Sequence, residues 1–201
     1  MRVVAGRFRG RSLTAPPGEE TRPILDRVKV ALFDWIGSQL ALPGSLPPIR
    51  VLDLFCGGGS LGVESVSRGA THCTFVDRSR AAIDALRTNL ESLGLLSLAT
   101  VVCSDAGSVR LLPRDSASFD LVFLDPPYRL SEDLGPGSVM DRVLRRLGRE
   151  IPISDAAMLL WRHPSKTTLP DGLAGGWASS ERRAWGTMAV TMLTRTTQVL
   201  P

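Results

Sequence analysis

Length, composition and charge exclude several classes of protein. The 201 residues suit a single α/β domain with a small appendage, and 43% hydrophobic with 22% charged residues is ordinary for a globular chain. No stretch has the length and apolar character of a transmembrane helix, and the opening residues lack the apolar core of a secretory signal. We therefore expect a cytoplasmic protein with no membrane partner. Three cysteines without a CxxC pair and two distant histidines have no metal-ligand spacing, so no metal is expected.

The net charge of +4 is concentrated in the first segment of the chain. Residues 1–29 hold seven basic and three acidic side chains, whereas the rest of the chain holds 17 of each. Arginine accounts for 22 of the 24 basic residues, and its guanidinium binds phosphate bidentately and stacks on bases. A codon bias explains the excess of arginine but not its position. The segment predicts a nucleic-acid contact, with Arg7, Arg9, Arg11, Arg22 and Arg27 as the candidates.

The predicted elements, in chain order, form an α/β domain behind a small extension. Residues 2–14 are predicted to form a short hairpin or arm, 24–39 an amphipathic helix, and 43–48 a linker. Strands and helices alternate from residue 49, with strands at 50–55, 72–76, 99–103, 119–124 and 157–161, helices at 60–68, 79–93 and 138–149, and a final antiparallel hairpin over 177–183 and 187–194. Apolar strands separated by helices indicate a parallel sheet covered on both faces, which binds ligands at the carboxyl ends of its strands.

The first motif is a glycine cluster between strand 50–55 and helix 60–68. Glycines at such a junction let the backbone turn tightly and approach a ligand closely. The spacing Gly57-x-Gly59-x-x-Gly62 also fits a dinucleotide site, but the carboxylate of Asp53 would repel a pyrophosphate. A carboxylate can instead pair with a cationic amino-acid moiety. The loop therefore favours S-adenosylmethionine, which has an ammonium group and a sulfonium but no phosphate.

Two further acidic residues follow the next two strands. Asp77 can accept hydrogen bonds from both ribose hydroxyls of an adenosine, whether of NAD or of S-adenosylmethionine, although an acid here can also cap the next helix. Asp105 can accept from the adenine amino group, with Ala106 donating its N–H to the ring, although Ser104-Asp105 is also good turn chemistry. The predicted cofactor site comprises Asp53, Phe55, Gly57, Gly59, Asp77, Arg78, Asp105, Ala106 and Asp125.

The most specific motif is Asp125-Pro126-Pro127-Tyr128, directly after strand 119–124. Its prolines stiffen the loop and remove two backbone N–H donors. The Asp125 carboxylate and the Pro126 carbonyl can then accept both hydrogens of an exocyclic amine and aim its nitrogen at a methyl donor. Tyr128 offers a flat face on which a flipped base can stack. We predict that these four residues are catalytic; the alternative is a proline-stiffened surface turn.

With these motifs in order, the chain resembles the bacterial family of small-subunit (16S) ribosomal RNA guanine-N2 methyltransferases, the RsmD type. The likeness runs nearly end to end and includes Arg2–Arg11, Thr21-Arg22-Pro23 with Asp26-Arg27-Val28, the glycine cluster, Asp125–Tyr128 and Trp185-Gly186-Thr187. The departures are Cys56 and Gly58 in place of the common Ala and Ser, the absence of an expected acid near Trp161-Arg162-His163, and the unmatched stretch Leu169–Glu181.

The resemblance implies a Rossmann-like, class I S-adenosylmethionine-dependent methyltransferase fold. Its α/β sheet would have seven strands with the last strand antiparallel, in a domain of residues 43–201 that follows a basic, cofactor-covering extension of residues 1–42. The implied reaction is methylation of the N2 amine of a guanine in 16S ribosomal RNA within an assembling small subunit. We expect a monomer that needs no metal.

Three other functions remain open from the residues. A DNA adenine-N6 or a protein glutamine methyltransferase would use the same proline-stiffened loop, since both substrates present a similar amine. An NAD-dependent oxidoreductase would explain the glycines but neither Asp53 nor the Asp125–Tyr128 motif. A non-catalytic RNA-binding assembly factor would explain the basic segment but not the intact acids and glycines.

Overall fold

The structure is a computed structural model that describes residues 1–17, 24–111, 118–170 and 172–196. The chain forms two compact units, Met1–Asp105 and Ala106–Pro201. The amino-terminal extension thus shares a unit with the first half of the α/β fold, and the predicted division after residue 42 stays a proposal. Residues 21–23, which include the predicted RNA contact Arg22, lie outside the described residues.

The first unit follows the predicted alternation of strands and helices. Its elements are α1 (Asp26–Gln39), β1 (Arg50–Leu54), α2 (Ser60–Arg68), β2 (His72–Asp77), α3 (Arg80–Leu93), a 3₁₀ turn (Leu96–Leu98) and β3 (Ala99–Cys103). β2 pairs in parallel with both β1 and β3. Gly69 and Gly94 end α2 and α3 with positive φ angles, as their positions in the sequence predict.

The second unit contains β4 (Phe119–Leu124), α4 (Tyr128–Glu132), α5 (Val139–Arg149), β5 (Ile153–Pro164), β6 (Trp177–Trp185) and β7 (Met188–Arg195). β4 and β5 are parallel, and β7 is antiparallel to both β5 and β6. The sheet has seven strands in the order β3-β2-β1-β4-β5-β7-β6. The predicted seven-stranded sheet with an antiparallel last strand is confirmed.

Two elements of the second unit differ from the sequence prediction. Helix α4 has only five residues, too few to show a helical period, and the sequence analysis placed no helix there. Strand β5 is longer than the predicted 157–161 at both ends. After the buried Ile153, residues 154–156 are half-buried or exposed. At the other end, the ring of the buried His163 forms a 2.8 Å hydrogen bond with the Thr191 hydroxyl of β7. Neither end therefore has the apolar sequence that marks a buried strand.

The turn before β6 packs closely on α5. A Cβ at Gly175 would lie 2.2 Å from the Leu144 carbonyl oxygen, and a Cβ at Gly148 would lie 2.1 Å from the Gly175 carbonyl oxygen. The Trp177 indole N–H donates to the same Leu144 carbonyl at 3.1 Å. The Arg195 guanidinium covers the Trp177 ring at 5.1 Å. These contacts assign a packing role to part of the stretch that matched no family motif.

The amino-terminal arm, residues 1–14, folds back on itself as predicted. The Val3 N–H donates to the Arg11 carbonyl at 2.9 Å, and the Leu13 N–H donates to the Met1 carbonyl at 2.8 Å. Val3 and Leu13 are buried, at 0% and 4% exposure. The pairing is antiparallel but amounts to one isolated bridge, Arg2 with Ser12, rather than two strands.

The buried carboxylate of Glu64 on α2 anchors this arm. Its oxygens accept hydrogen bonds from the Val4 and Ala5 N–H groups at 2.8 and 2.9 Å. The same carboxylate lies 2.8 Å from Arg68 Nε and 3.7 Å from Lys29 Nζ. Burial lowers the pKa of Lys29, and the Glu64 charge opposes that effect. A buried charge is tolerated only when it is paired and hydrogen-bonded. The N–H groups of the arm supply part of the hydrogen bonding that Glu64 needs, so the arm belongs to the core of the first unit.

Replacement of Gly6 by alanine tests how tightly the arm is held. Gly6 has a φ of +76°, and a Cβ there would lie 1.9 Å from the Ser67 carbonyl oxygen, which accepts the Arg7 N–H at 2.8 Å. We expect Gly6→Ala to lift the arm from α2 and to lower the free energy of unfolding by about 3 kcal/mol or more. Thermal and urea unfolding measure this loss.

Gly10→Ala is the matched control for this prediction. Gly10 has a similar φ of +85° but open space around its Cα. Its replacement should cost only the left-handed backbone strain, about 1–2 kcal/mol. Equal losses for the two variants would show that the arm does not depend on its contact with Ser67.

Candidate functional site

The glycine loop, residues 55–59, leaves the carboxyl end of β1 in an unusual backbone conformation. Phe55 has a φ of 62°, which is uncommon for a residue with a side chain. The Gly59 N–H donates to the Cys56 carbonyl at 2.8 Å and closes the turn. A Cβ at Gly57 would have no described neighbour within 4 Å. Gly57 is therefore a point where the loop backbone is open to a ligand.

The other two glycines of the Gly57-x-Gly59-x-x-Gly62 spacing are required by packing. A Cβ at Gly59 would lie 2.4 Å from the Leu86 side chain of α3. A Cβ at Gly62 would lie 2.3 Å from the Phe75 ring of β2. The close approach of loop, helix and strand therefore explains two of the three glycines without a ligand.

Asp53 of β1 stabilises the start of α2. Its side chain is buried, and its Oδ2 accepts the Gly62 N–H at 2.9 Å. The N-cap position of α2 is Gly59, which has no side chain to accept from the first-turn N–H groups. Asp53 supplies that acceptor from a neighbouring strand. Its predicted contact with the cationic part of a cofactor remains a proposal.

Asp77 at the end of β2 organises the edge of the glycine loop. One of its oxygens accepts the Gly57 N–H at 2.9 Å, and the other accepts the Ser79 N–H at 2.8 Å. The N-cap of α3 is Ser79, whose hydroxyl accepts the Ala82 N–H, so Asp77 is not the capping residue. The Asp77 side chain is partly exposed, and each carboxylate oxygen has a second lone pair. The carboxylate can therefore also accept two vicinal hydroxyls, as predicted for a ribose.

Asn89 of α3 joins the arm to the glycine loop. Its NH₂ group donates to the Thr14 and Gly58 carbonyls at 3.0 and 2.9 Å, and its oxygen accepts the Thr14 N–H at 2.8 Å. The side chain is 2% exposed. The sequence analysis missed this residue. Its one signal was a polar amide at a core-facing position of an amphipathic helix, between Leu86 and Leu93.

Replacement of Asn89 by alanine tests this connection. Three hydrogen bonds are lost, and the buried Gly58 carbonyl and the part-buried N–H and carbonyl of Thr14 lose this partner. We expect the free energy of unfolding to fall by about 2–4 kcal/mol and amide exchange in the glycine loop to become faster. Hydrogen exchange with mass spectrometry measures the second effect.

Thr88→Ala is the control for this variant. Thr88 is the preceding residue on α3, is exposed, and bonds only within its own helix, to the Asp84 carbonyl. Its loss should leave exchange in the glycine loop unchanged. Unaltered exchange in both variants would contradict the connecting role of Asn89.

The remaining predicted cofactor residues of the first unit, Arg78 and Asp105, lie beside β2 and β3. Arg78 is exposed, directly after Asp77. Asp105 is partly buried and follows Ser104, whose N–H donates to the Asp77 carbonyl at 2.9 Å. This bond ties the turn that carries Asp105 to the end of β2. Ala106 is buried and begins the second unit. Their roles toward a cofactor remain predictions.

The predicted RNA-binding arginines of the described residues are exposed. Arg7, Arg9 and Arg11 lie on the arm, and Arg27 lies in the first turn of α1. The Arg7 guanidinium lies 5.0 Å from the Phe8 ring centroid, and Arg11 donates to the Ser92 carbonyl at 2.9 Å. The arm therefore presents three guanidinium groups at the surface of the first unit.

In the second unit, the Asp125–Tyr128 motif joins β4 to α4. Pro127 is the N-cap residue of α4, and its carbonyl accepts the Leu130 N–H at 2.8 Å. Proline at a helix start removes no helical hydrogen bond, because the first N–H groups of a helix have no partner within it. The motif is thus a strand-to-helix junction.

Arg162 of β5 contacts the Asp125–Tyr128 motif and is not among the residues predicted from the sequence. Its Nε lies 2.6 Å from Asp125 Oδ1, and its guanidinium lies 5.9 Å from the centre of the Tyr128 ring. The side chain of Arg162 is 7% exposed and that of Asp125 is 19% exposed. Burial raises the pKa of Asp125, and the Arg162 charge opposes that rise. The signal was an arginine at the end of an apolar strand where the family resemblance suggested an acid.

Among the described residues, no group of three or more His, Cys, Asp or Glu side chains is arranged to hold a metal ion. None of the helices described has the length and apolar character needed to cross a membrane.

Comparison with a family model decides the relationship of the chain. The model described as "Conserved hypothetical protein 95" matches residues 1–194. The chain belongs to this family. The match covers both the arm and the α/β fold, so the arm is part of the family's common architecture.

Relatives by sequence bear ribosomal RNA methyltransferase names. Ribosomal RNA small subunit methyltransferase D of Haemophilus influenzae is 36% identical over 135 residues, which are 65% of each chain. The protein of the same name from Escherichia coli is 28% identical over 198 residues, which are 98% of this chain and 91% of that one. These relatives confirm the family resemblance drawn from the motifs.

Solved structures share the fold. The Escherichia coli structure described as "Putative methyltransferase yhhF" superposes with a TM-score of 0.75 at 28% identity, over 98% of this chain and 99% of that one. TrmN from Thermus thermophilus superposes with a TM-score of 0.65 at 22% identity, over 88% of this chain and 50% of that one. The predicted class I methyltransferase fold is confirmed.

Proposed function

We propose that this protein transfers a methyl group from S-adenosylmethionine to the exocyclic N2 amine of a guanine in small-subunit (16S) ribosomal RNA. The observation that carries the proposal is the Asp125–Tyr128 motif at the β4–α4 junction, with a largely buried carboxylate at its head. The names of the family relatives supply the substrate class. The substrate would be an assembling small ribosomal subunit, and the protein would act on it as a monomer in the cytoplasm.

The first unit supports the proposed cofactor. Gly57 leaves the loop backbone open, and the Asp77 carboxylate has lone pairs for the two hydroxyls of a ribose. When bound, S-adenosylmethionine supplies an electrophilic methyl group on its sulfonium. The residues of this unit proposed to hold it are Asp53, Phe55, Gly57, Gly59, Asp77, Arg78 and Asp105.

The second unit supports the proposed substrate. The Asp125 carboxylate and the Pro126 carbonyl would accept the two hydrogens of the guanine amine, which orients the nitrogen lone pair and weakens its conjugation with the ring. Tyr128 would stack on the flipped base. Pro127, the residue before it, is the N-cap residue of α4 and fixes where that helix begins. The amine proton would leave after methyl transfer, to water or to Asp125.

The direct test uses purified protein and radiolabelled S-adenosylmethionine. The substrates are small ribosomal subunits, free 16S ribosomal RNA, duplex DNA and a protein extract, with nucleoside and amino-acid analysis of the product. Label in N2-methylguanosine supports the proposal. Label in N6-methyladenine or methylglutamine would replace it with the corresponding methyltransferase, and cofactor binding without label in any substrate would favour a non-catalytic assembly factor.

Replacement of Asp125 by alanine separates chemistry from cofactor binding. The variant loses the acceptor proposed to orient the amine, so methylation should fall by about 10²–10³-fold while cofactor affinity changes little. Calorimetric titration with S-adenosylmethionine and single-turnover labelling measure the two effects. Asp133→Ala, which removes an exposed carboxylate after α4, is the control. Full activity of the Asp125 variant would overturn the proposed site.

Replacement of Arg9 by glutamine tests the proposed RNA contact of the arm. If Arg9 contacts a phosphate, the variant should bind 16S ribosomal RNA more weakly at low salt, and the slope of log affinity against log salt should become less steep by about 1. Arg183→Gln is the control, because Arg183 is an exposed arginine of β6 that pairs with Glu181. An equal change in the two variants would indicate a general charge effect rather than a contact by the arm.

A further inference from the structure

Arg162 contacts two members of the Asp125–Tyr128 motif at once. Its Nε lies 2.6 Å from Asp125 Oδ1, and its guanidinium lies 5.9 Å from the Tyr128 ring centre. Asp125 Oδ1 is shielded from solvent, so the exposed 19% of that side chain belongs to its other atoms. The oxygen left to accept a hydrogen bond from a substrate is therefore Oδ2.

The backbone of Arg162 is tied to the same helix. The hydroxyl of Ser131 in α4 donates to the Arg162 carbonyl at 3.4 Å, and the Trp161 indole N–H donates to that hydroxyl at 3.3 Å. Ser131 and Trp161 are both fully buried. The strand that carries Arg162 and the helix that carries Tyr128 are thus fixed to each other within the second unit.

We propose that Arg162 is a positioning residue for methyl transfer, which directs Asp125 Oδ2 toward the substrate amine and sets the plane of the Tyr128 ring. This role rests on the proposed function of the Asp125–Tyr128 motif. Arg162 acts through these two side chains and needs no contact with the substrate. Its planar, permanently charged guanidinium suits both a carboxylate and an aromatic face.

The pair also controls the protonation of Asp125. A protonated carboxyl would offer the amine a donor where an acceptor is needed. Burial raises the pKa of Asp125 and Arg162 opposes that rise, so loss of Arg162 should raise this pKa further. Asp125 is active when ionised, and activity should rise with pH through its pKa. The acid limb of the pH–rate profile should therefore move to higher pH when Arg162 is removed.

The other charged or titratable groups of α4 and β5 have their own partners or are exposed. On α4, Glu132 pairs with Lys166 at 3.1 Å and Arg129 is exposed. On β5, the His163 ring bonds to Thr191 and to the Pro164 carbonyl, and burial lowers its pKa. A shift of the acid limb can therefore be assigned to Asp125 by comparing the pH–rate profile with that of an Asp125 variant.

The test compares Arg162→Met, Arg162→Lys and the exposed-arginine control Arg182→Met with the full-length wild type. Methylation of small subunits is followed against pH with saturating S-adenosylmethionine. For Arg162→Met we expect kcat about 100-fold lower, an acid limb about one pH unit higher and an unchanged cofactor Kd. Arg162→Lys restores the charge but not the planar fork, so the acid limb should return while kcat recovers only in part.

A second measurement keeps the inference testable apart from turnover. The ¹³C resonance of the Asp125 carboxyl, assigned by its absence in Asp125→Asn, gives the carboxyl pKa in wild type and in Arg162→Met, where this pKa should be higher. A wild type that methylates none of the substrates would defeat the proposed function but leave this titration to test the pair. An active wild type with the same acid limb, the same Asp125 titration and the same kcat in the Arg162 variants would overturn the positioning role.

Discussion

The first unit depends on one buried carboxylate, that of Glu64. It accepts hydrogen bonds from two backbone N–H groups of the arm and balances the buried positive charges of Arg68 and Lys29. Lys29 also donates to the hydroxyl of Ser60, the first residue of α2 after the glycine loop. One ion cluster thus sets the position of both the arm and the loop. The nucleic-acid contact proposed for the arm and the cofactor contact proposed for the loop would share this support.

The second unit solves a related electrostatic problem with fewer groups. Asp125 is withdrawn from water, which favours its neutral form, and the single counter-charge of Arg162 opposes that tendency. A carboxylate held this way gains direction, and its pKa remains above the ordinary value because burial outweighs the counter-charge. That balance suits a group whose task is to orient an amine, since the electrophile proposed for this reaction needs no strong base to activate the nucleophile.

The sequence predicts the fold far better than the contacts of the site. Strand β3 and helix α2 have their predicted bounds, because apolar runs and glycine C-caps mark them directly. Helix α4 is too short for a period, and Asn89 and Arg162 act through partners 75 and 37 residues away in the chain, which local patterns do not reveal. The position of Asp53 near the end of an apolar strand marks it in the sequence and its role toward a cofactor stays a prediction, whereas its bond to Gly62 depends on how α2 packs on β1.

The interlock of α5 with the turn before β6 constrains how this part of the chain can diverge. Gly175 abuts the Leu144 carbonyl, Gly148 abuts Gly175, and Trp177 bonds to that same carbonyl. A side chain gained at either glycine must displace the turn, and the displaced turn would in turn pull the indole from its acceptor. Substitutions at Gly148, Gly175 and Trp177 should therefore occur together or not at all. We expect the length and sequence of this loop to be conserved together. A homologue that lacks one of the glycines should have a loop of different length or conformation.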